Sequence, residues 1–459
     1  MEKQQKRIYT YLIIAVLILG VLFKIIYVQR VPFSVSPHDL GKLGDWQKLD
    51  RAESVSDPFN GHLGYIQYLY KFHRFPDSYV NQFYHPPFFH IIGAVVVKIW
   101  HDLGHDFYSS LELLQLLNML ISSASAFFIC KTLERLKIKG GPLLAAALIV
   151  SFHPLFYNLG AALNNDALAT TLGIAAIYFT TVWFFEGRTY QIILIALCIG
   201  LGMFTKLSAG LAAPAVALVF LYKFILWIKI NSNSDKKDLS LVGQFLLFAV
   251  ICLPLGLFWS FHNITVHHIP VNYVMKQPLD SVQYIGDVPL IKRIGLPTAE
   301  QMKTVRIVFD PEKGSNIWSQ TVLTSAFDEK TLKNEQGIAR SLSILYLWLC
   351  GLSAILTNFF AFFGVLKNRL QTILKALFAT AYLTFCIFYL KFCFDHPFIC
   401  TMNFRYLGIA LGMVTVLFAI GCSSVKKNDH LIANILKTVT YIGLTIWSVL
   451  GTALYFCYY

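Results

Sequence analysis

The chain has 459 residues, of which 56% are hydrophobic and only 14% are charged. Its mean hydropathy of +0.58 lies outside the range of soluble globular domains, so a water-soluble fold is excluded as the main architecture. The net charge of +13 does not indicate a nucleic-acid partner. The basic residues cluster in short loops between apolar runs, where membrane orientation accounts for them.

Apolar runs recur along the whole sequence. Because a spanning helix needs roughly 20 mostly apolar residues, the runs predict an all-α integral membrane protein with about eleven transmembrane helices. The first run is too long for a signal peptide, and no small-residue cleavage site follows it, which favours an uncleaved helix with Lys24 reaching the membrane surface. The predicted spans are residues 8–28, 111–135, 142–162, 167–186, 189–204, 207–229, 241–262, 341–365, 373–393, 405–422 and 432–456.

Lysine and arginine residues in short loops set the predicted orientation of these spans. The positive-inside rule places the basic loops in the cytoplasm. Two long polar segments, 29–110 and 263–340, then fall on the extracytoplasmic side. We therefore divide the chain into a transmembrane module with the first outer loop (1–262), an outer loop or cap (263–340) and C-terminal transmembrane helices (341–459).

Residues 83–100 are nearly long enough to form a further span. This stretch contains His85, His90 and Lys98, and paired prolines stand at its beginning. It is therefore predicted to be a helix on the outer membrane surface, started by the prolines at its first turn. If it crossed the membrane instead, the loops that follow would change sides.

The first outer loop is dense in acids, histidines and aromatic residues. Carboxylates can accept a proton from a hydroxyl, imidazoles can orient them or hold a metal, and rings can stack on sugar faces, so the mixture suits hydroxyl-rich ligands. A solvated loop whose acids cap short helices would have the same composition. The residues concerned are His38, Asp39, Asp45, Asp50, Asp57, His62, Tyr65, Tyr84 and His85.

The next outer turn places Asn164, Asn165 and Asp166 between two apolar runs. Asp166 is a candidate site residue, and it is also a candidate N-cap for the helix that follows. Both roles are compatible with the sequence.

Two later outer turns carry cations. Lys206 lies between two short spans, against the positive-inside trend, which favours an anionic partner such as a lipid phosphate; snorkelling to the surface is the alternative. Arg405 and Tyr406 begin a late span, where arginine can bind a phosphate bidentately and tyrosine can sit at the interface. Lys206 and Arg405 are therefore predicted to bind phosphate together.

These features together resemble the GT-C superfamily of integral membrane glycosyltransferases, which includes protein O-mannosyltransferases and lipid A aminoarabinose transferases. The resemblance covers residues 29–406. Each motif alone is a weak signal for the family. Their order along the chain and their common extracytoplasmic side make the set specific. The matching elements are an acid soon after the first helix (Asp39), a Tyr-His-Pro-Pro element (84–87), an acidic turn (164–166), a Gly-x-x-Thr-Lys turn (202–206) and a late Arg-Tyr pair (405–406).

The resemblance implies an inverting glycosyltransferase, a hexosyl- or pentosyltransferase, with a polyprenyl-phosphate-linked sugar as donor. Asp39 would then be the general base, and Lys206 with Arg405 would stabilise the charge on the leaving phosphate. His38, next to Asp39, is a further catalytic candidate. The acidic turn at Asp166 would position the acceptor or hold a metal. The residues implied to contact substrate are Lys206, Arg405, Tyr406, Tyr84, His85, His62, Asn164 and Asn165.

The sequence departs from the family at the first acid. The family has an adjacent Asp-Glu pair, whereas His38 precedes Asp39 and Leu40 follows it. Asp57, in the sequence DPFNGHLGYI, is the competing candidate for the base. A divalent metal at Asp39, Asp166 and His85 is compatible with these residues, but their spacing does not demand one.

Other functions remain open from the sequence. A transporter or flippase of lipid-linked saccharides would also be a polytopic bundle, although its ionisable residues usually stand at mid-span and its halves show internal symmetry. A glycan polymerase or ligase is a further alternative. We expect a bacterial plasma membrane with the site facing outside, and a cell-envelope glycan, lipid or protein as acceptor. Cap residues that could contact a glycan are Arg293, Arg306, Trp318 and Asp328.

Overall fold

The computed structural model describes residues 2–31, 61–79, 82–232, 239–329, 337–425 and 431–457, most of which are helical. The α-helices are α1 (Glu2–Arg30), α2 (Gly61–Phe72), α3 (Phe88–Asp102), α4 (Phe107–Arg135), α5 (Gly141–Phe152), α6 (Pro154–Ala161), α7 (Asp166–Glu186), α8 (Thr189–Thr205), α9 (Ala213–Asn231), α10 (Ser240–Thr265), α11 (Leu290–Ile294), α12 (Pro311–Gly314), α13 (Ile317–Phe327), α14 (Gly337–Lys367), α15 (Thr372–Asp395), α16 (Gly408–Ser424) and α17 (Leu431–Cys457).

The predicted all-α membrane architecture is confirmed. Within the described ranges, 10 helical segments are long and apolar enough to cross a membrane. The one predicted span without a counterpart among these segments is 189–204. It corresponds to α8, which has only 17 residues. Helix α3 has 15 residues and is not among the ten candidates, in agreement with the prediction that 83–100 does not cross the bilayer.

The predicted span 142–162 contains two helices. His153 adopts an extended conformation (φ −68°, ψ 129°) between α5 and α6, and Pro154 follows it. Proline clashes with a helical conformation of the residue before it and lacks the backbone N–H, so the helix ends and restarts at this point.

The described helices form two compact units, and the first consists of residues 1–24, 129–158 and 276–459. Helix α16 forms its centre and packs against α5, α14 and α15. Every residue of α16 from Gly408 to Cys422 is buried. The helix has no charged residue and is apolar on all sides, as a helix surrounded by other helices must be.

Two glycines allow α14 and α16 to approach closely. A Cβ added at Gly364 would lie 2.6 Å from the backbone nitrogen of Gly421, and a Cβ at Gly421 would overlap the carbonyl oxygen of Phe360. Small residues at such crossings let helix backbones pack directly in a membrane, where lipid offers no competing hydrophobic drive.

The structure contradicts the predicted position of Lys24 at the membrane surface. The side chain is buried in the first unit, with its ammonium 5.6 Å from the centre of the Phe156 ring. The neighbouring Phe23 packs on Phe152 and Tyr157, and this turn of α1 is therefore directed into the unit. A cation over an aromatic face recovers part of the lost hydration.

The second unit consists of residues 25–128 and 159–275. Helix α8 packs against both α7 and α10, and α9 packs against α7. Helices α2 and α3 pack together through a cluster that includes Leu63, Ile66 and Phe89. The antiparallel pair α7–α8 brings residue 166 and residue 206 to the same end of this unit.

Alanine at Gly421 should lower the thermal unfolding midpoint of the detergent-solubilised protein. The added methyl group overlaps Phe360, and overpacking of this kind costs roughly 1–3 kcal/mol. The control is Gly443→Ala in α17, where nothing lies within 4 Å of the added Cβ. That variant should keep or slightly raise the midpoint, because alanine favours the helix. Equal midpoints for the two variants would contradict the close crossing.

Candidate functional site

The predicted site residues fall into three groups. His38, Asp39 and Asp57 lie outside the described residues. A second group, around Asp166 and Tyr84, belongs to the second unit, and a third group, around Arg405, belongs to the first unit.

Asp166 and Lys206 form an ion pair in the second unit. The Lys206 ammonium donates to Asp166 Oδ1, and the side chains are only 16% (Lys206) and 8% (Asp166) exposed. Lys206 follows the last residue of α8, and Asp166 is the first residue of α7. Lys206 therefore has an anionic partner, as predicted, and this partner is a carboxylate of the same chain. The lysine does not snorkel to the surface.

The N-cap alternative for Asp166 is wrong. Asn165 occupies the cap position, without a side-chain capping bond, and Asp166 lies inside the first turn of α7. A carboxylate in the first turn interacts favourably with the helix dipole. The helix end and Lys206 therefore both favour the Asp166 carboxylate at this position.

The two asparagines hold the turn and also offer unused polar atoms. Asn165 Nδ2 donates to the carbonyl of Thr205 at 3.0 Å, and Asn164 Oδ1 accepts from the backbone N–H of Asp166 at 3.1 Å. Asn164 Nδ2 and Asn165 Oδ1 are buried and have no hydrogen-bond partner among the described residues. A buried donor and a buried acceptor without partners are costly, and both atoms remain able to bind a polar group.

Sequence reasoning missed two residues that support this turn. Gln115 Nε2 donates to the carbonyl of Ala161 at 2.8 Å, and Asn118 Nδ2 donates to the carbonyls of Leu159 and Ala162 at 3.1 and 2.6 Å. The signal was present, because the two amides stand three residues apart, on one face of the apolar helix α4.

The predicted substrate residues His62, His85 and Tyr84 lie together. His62 Nδ1 and His90 Nε2 are 2.8 Å apart, and the His62 ring lies 5.5 Å from the His85 ring. The His85 ring in turn lies 4.2 Å from Tyr84. Burial lowers the pKa of His90 well below 6.5, the nearby His62 lowers it further, and the Pro86 carbonyl opposes both. His90 is therefore neutral at physiological pH.

The Tyr84 carbonyl is bound by two side chains that the sequence did not single out. Trp259 Nε1 and Asn263 Nδ2 each donate to it at 2.9 Å. They are four residues apart at the end of α10 and share one helix face. The Tyr84 ring also contacts Tyr273 edge-on at 5.1 Å. Side chains from α2, α3 and α10 thus hold the Tyr-His-Pro-Pro turn in place.

The third group lies in the first unit. Arg405 Nη2 donates to the Tyr406 hydroxyl at 3.0 Å, and its guanidinium lies 5.0 Å from the Tyr406 ring centre. The side chain of Asn403 accepts from the backbone N–H of Arg405 at 2.8 Å and donates to Asp328 at 3.2 Å. The Arg405 guanidinium is therefore held beside the adjacent Tyr406.

Two of the cap residues suggested for glycan contact are buried instead. Arg293 donates to the carbonyl of Cys393 at 3.1 Å, and Asp328 accepts from Asn403. Both connect the cap to the C-terminal helices. Arg306 and Trp318 are exposed.

A metal site is not formed by the described residues alone. No group of three His, Cys, Asp or Glu side chains within them is placed to hold a metal ion. Asp39, the third member of the suggested set with Asp166 and His85, lies outside them.

One family model matches part of the chain. Residues 84–258 match the family described as dolichyl-phosphate-mannose-protein mannosyltransferase. The matched segment contains the Tyr-His-Pro-Pro turn, the turn at 164–166 and Lys206, and it confirms the predicted resemblance to the GT-C glycosyltransferases. No curated protein matches the chain.

Solved structures with similar folds include three transferases. The apo oligosaccharyltransferase of Archaeoglobus fulgidus is 10% identical, with a TM-score of 0.48 over 96% of this chain and 56% of that one. Apo ArnT from Cupriavidus metallidurans is 12% identical (TM-score 0.41, 90% of this chain and 77% of that one). Arabinofuranosyltransferase AftD from Mycobacteria is 14% identical (TM-score 0.41, 95% and 27%). This chain spans about half the length of the oligosaccharyltransferase.

A double-mutant cycle should show that Asp166 and Lys206 depend on each other. Asp166→Asn or Lys206→Met alone leaves a buried charge without its partner. The losses of unfolding free energy in the two single variants should therefore add up to more than the loss in the double variant. The expected coupling is about 0.5–3 kcal/mol, measured by unfolding in detergent. The exposed Lys98–Asp102 pair, at 3.0 Å, is the matched control and should couple by about 0.3–0.5 kcal/mol. Equal coupling in the two cycles would contradict a special role for the buried pair.

Proposed function

We propose that this integral membrane protein, a relative of the GT-C glycosyltransferases through residues 84–258, transfers a sugar from a polyprenyl-phosphate donor to an acceptor hydroxyl with inversion. The observation that supports this most is the Asp166–Lys206 pair, because it lies inside the matched segment and places a buried cation and carboxylate together at one end of the α7–α8 hairpin.

The description of the matching family supports the proposed donor class. That description names dolichyl-phosphate-mannose as donor and protein as acceptor, and a polyprenyl-phosphate sugar is the shared chemical class. Phosphate is a good leaving group, so no strong general acid is needed. What must be stabilised is the negative charge that grows on the phosphate as its bond to the sugar breaks.

The reaction begins with proton removal. Asp39, or Asp57 in the alternative alignment, takes the proton from the acceptor hydroxyl. The acceptor oxygen attacks the anomeric carbon on the face opposite the phosphate. The bond between the anomeric carbon and the phosphate oxygen breaks, lipid phosphate leaves with the bonding electrons, and the anomeric configuration inverts.

Lys206 stabilises the leaving phosphate in this proposal, and Arg405, in the first unit, stays a predicted phosphate-binding residue. The Asp166 carboxylate fixes the Lys206 ammonium in position, and Tyr406 fixes the Arg405 guanidinium. Cations held in place before the reaction need no reorganisation while the charge develops, which is the source of their catalytic effect.

The turn at 164–166 positions a hydroxyl group. A hydroxyl both donates and accepts a hydrogen bond. Asn165 Oδ1 and Asn164 Nδ2 supply the complementary acceptor and donor, and both atoms are buried without a partner among the described residues. The site faces the extracytoplasmic side of a bacterial plasma membrane in our proposal, and its acceptor is a cell-envelope glycan, lipid or protein.

Transfer assays with purified protein test the general base. Radiolabelled polyprenyl-phosphate sugars and candidate acceptors would be supplied to wild type, Asp39→Asn and Asp57→Asn. One of the two variants should lose transfer by about 100-fold or more, since general-base catalysis contributes on that scale. Full activity in both variants would rule out a base at either position. Export of lipid-linked sugar without transfer would favour a flippase.

Kinetics of Lys206→Ala separate phosphate binding from an indirect role. If Lys206 contacts the lipid phosphate, the KM for the donor should rise, and Lys206→Arg should restore it partly because the cation is kept. If Lys206 only orients Asp166, the KM for the acceptor should change instead, in parallel with Asp166→Asn. The exposed Lys98→Ala variant is the control, and an unchanged donor KM in Lys206→Ala removes this lysine from the phosphate site.

A further inference from the structure

Exposed apolar side chains form a ridge in the first unit. Leu290, Ile291, Ile294 and Leu296 are 55%, 75%, 39% and 95% exposed, and the adjacent Trp318 is 44% exposed. We call these five residues the apolar ridge. Single exposed apolar side chains are ordinary, but a contiguous group of large ones indicates a surface that something covers.

The apolar ridge is held rigidly in its exposed position. Asn316 Nδ2 donates to the carbonyls of Lys292 and Gly295 at 3.1 and 2.8 Å, and Trp318 Nε1 donates to the carbonyl of Ile294 at 2.7 Å. Side-chain bonds to three backbone carbonyls fix the path of residues 292–295. The exposure of the ridge is therefore built into the fold and does not arise from a loosely packed loop.

The backbone of the ridge is fastened to the end of a membrane-spanning helix. Arg293, 7% exposed, points inward, donates to the carbonyl of Cys393 at 3.1 Å and lies 5.4 Å from the ring centre of Phe394. Helix α15, one of the candidate spans, ends at Asp395. Two residues of helix rise by only about 3 Å, so the ridge is attached close to the end of this candidate span.

A second attachment lies at the same helix end. The backbone N–H of Ile285 donates to the carbonyl of Pro397 at 2.8 Å, and that of Ile399 donates to the carbonyl of Gln283 at 2.9 Å. The segment 283–295 is thus attached both just before and just after Asp395. It cannot move away from the end of α15 without breaking these bonds.

We propose that the apolar ridge inserts into the lipid leaflet at the boundary between head groups and acyl chains. This inference is independent of the reaction proposed above. The attachment of the ridge at the end of a candidate membrane span and its tryptophan favour lipid as the occupant, because tryptophan is enriched at membrane interfaces. The exposed Lys292 stands within the ridge, where its ammonium can reach lipid phosphates while the apolar neighbours enter the acyl region.

Insertion gives the cap a second membrane attachment besides the spanning helices. The cap segment follows α10 and precedes α14, and the ridge holds its middle part at the lipid surface. A cap anchored in this way stays close to membrane-bound ligands, whatever their identity.

Depth-dependent fluorescence quenching tests the proposal. Leu296→Cys, and Glu312→Cys as matched control on the same cap, would be labelled with an environment-sensitive dye after Cys386, Cys400 and Cys457 are replaced by serine. The other six cysteines are buried. In nanodiscs containing a phosphatidylcholine with a nitroxide high on its acyl chain, the dye at 296 should be quenched at least about threefold more than the dye at 312.

Equal, weak quenching at the two positions would overturn the proposal. Shielding at 296 that appears only with two chains per nanodisc would assign the ridge to a second copy, and shielding that requires an added polypeptide would assign it to a protein partner; both results would also overturn it. Ile291→Cys provides a second position with high exposure, so a folding defect at 296 does not remove the test.

Discussion

Backbone carbonyls at the end of α6 need hydrogen-bond donors from the protein, because they lie among apolar helices and lipid supplies none. The last carbonyls of any helix lack partners within the helix. Gln115 and Asn118 provide the donors here, reaching across from α4 to the carbonyls of residues 159–162. This arrangement sets the direction in which the chain enters α7. The positions of Asn164, Asn165 and Asp166 all depend on that direction.

The pairing of Asp166 with Lys206 changes how each residue should be understood. A buried cation alone would attract an anionic ligand strongly, but it would also be costly to keep in the empty site. With Asp166 beside it, Lys206 is held in place without any ligand, and Asp166 stays beside the two asparagines. The pair therefore acts as one unit, and kinetic effects of the two substitutions must be interpreted together.

The sequence predicted the spans well because hydropathy is a local property. It did not predict the break inside the span 142–162, although Pro154 marks the position. It did not predict the burial of Lys24, since the direction of a helix face depends on neighbours distant in sequence. The sequence placed Asp166 and Lys206 on the same side, but not in contact, because 40 residues and a helical hairpin separate them. Gln115 was detectable as a polar residue in an apolar run and was overlooked.

The histidines and tyrosines around Tyr84 show how side chains with catalytic chemistry can serve packing. In the sequence they resemble a surface for stacking on sugars or for binding a metal. In the structure the ring of His62 lies against His85 and His90, which are 5.5 and 5.1 Å away, and His85 lies against Tyr84. These contacts hold the side chains in place around the turn that follows. Tyr84 and His85 are half-buried, and contact of these residues with a sugar stays a prediction.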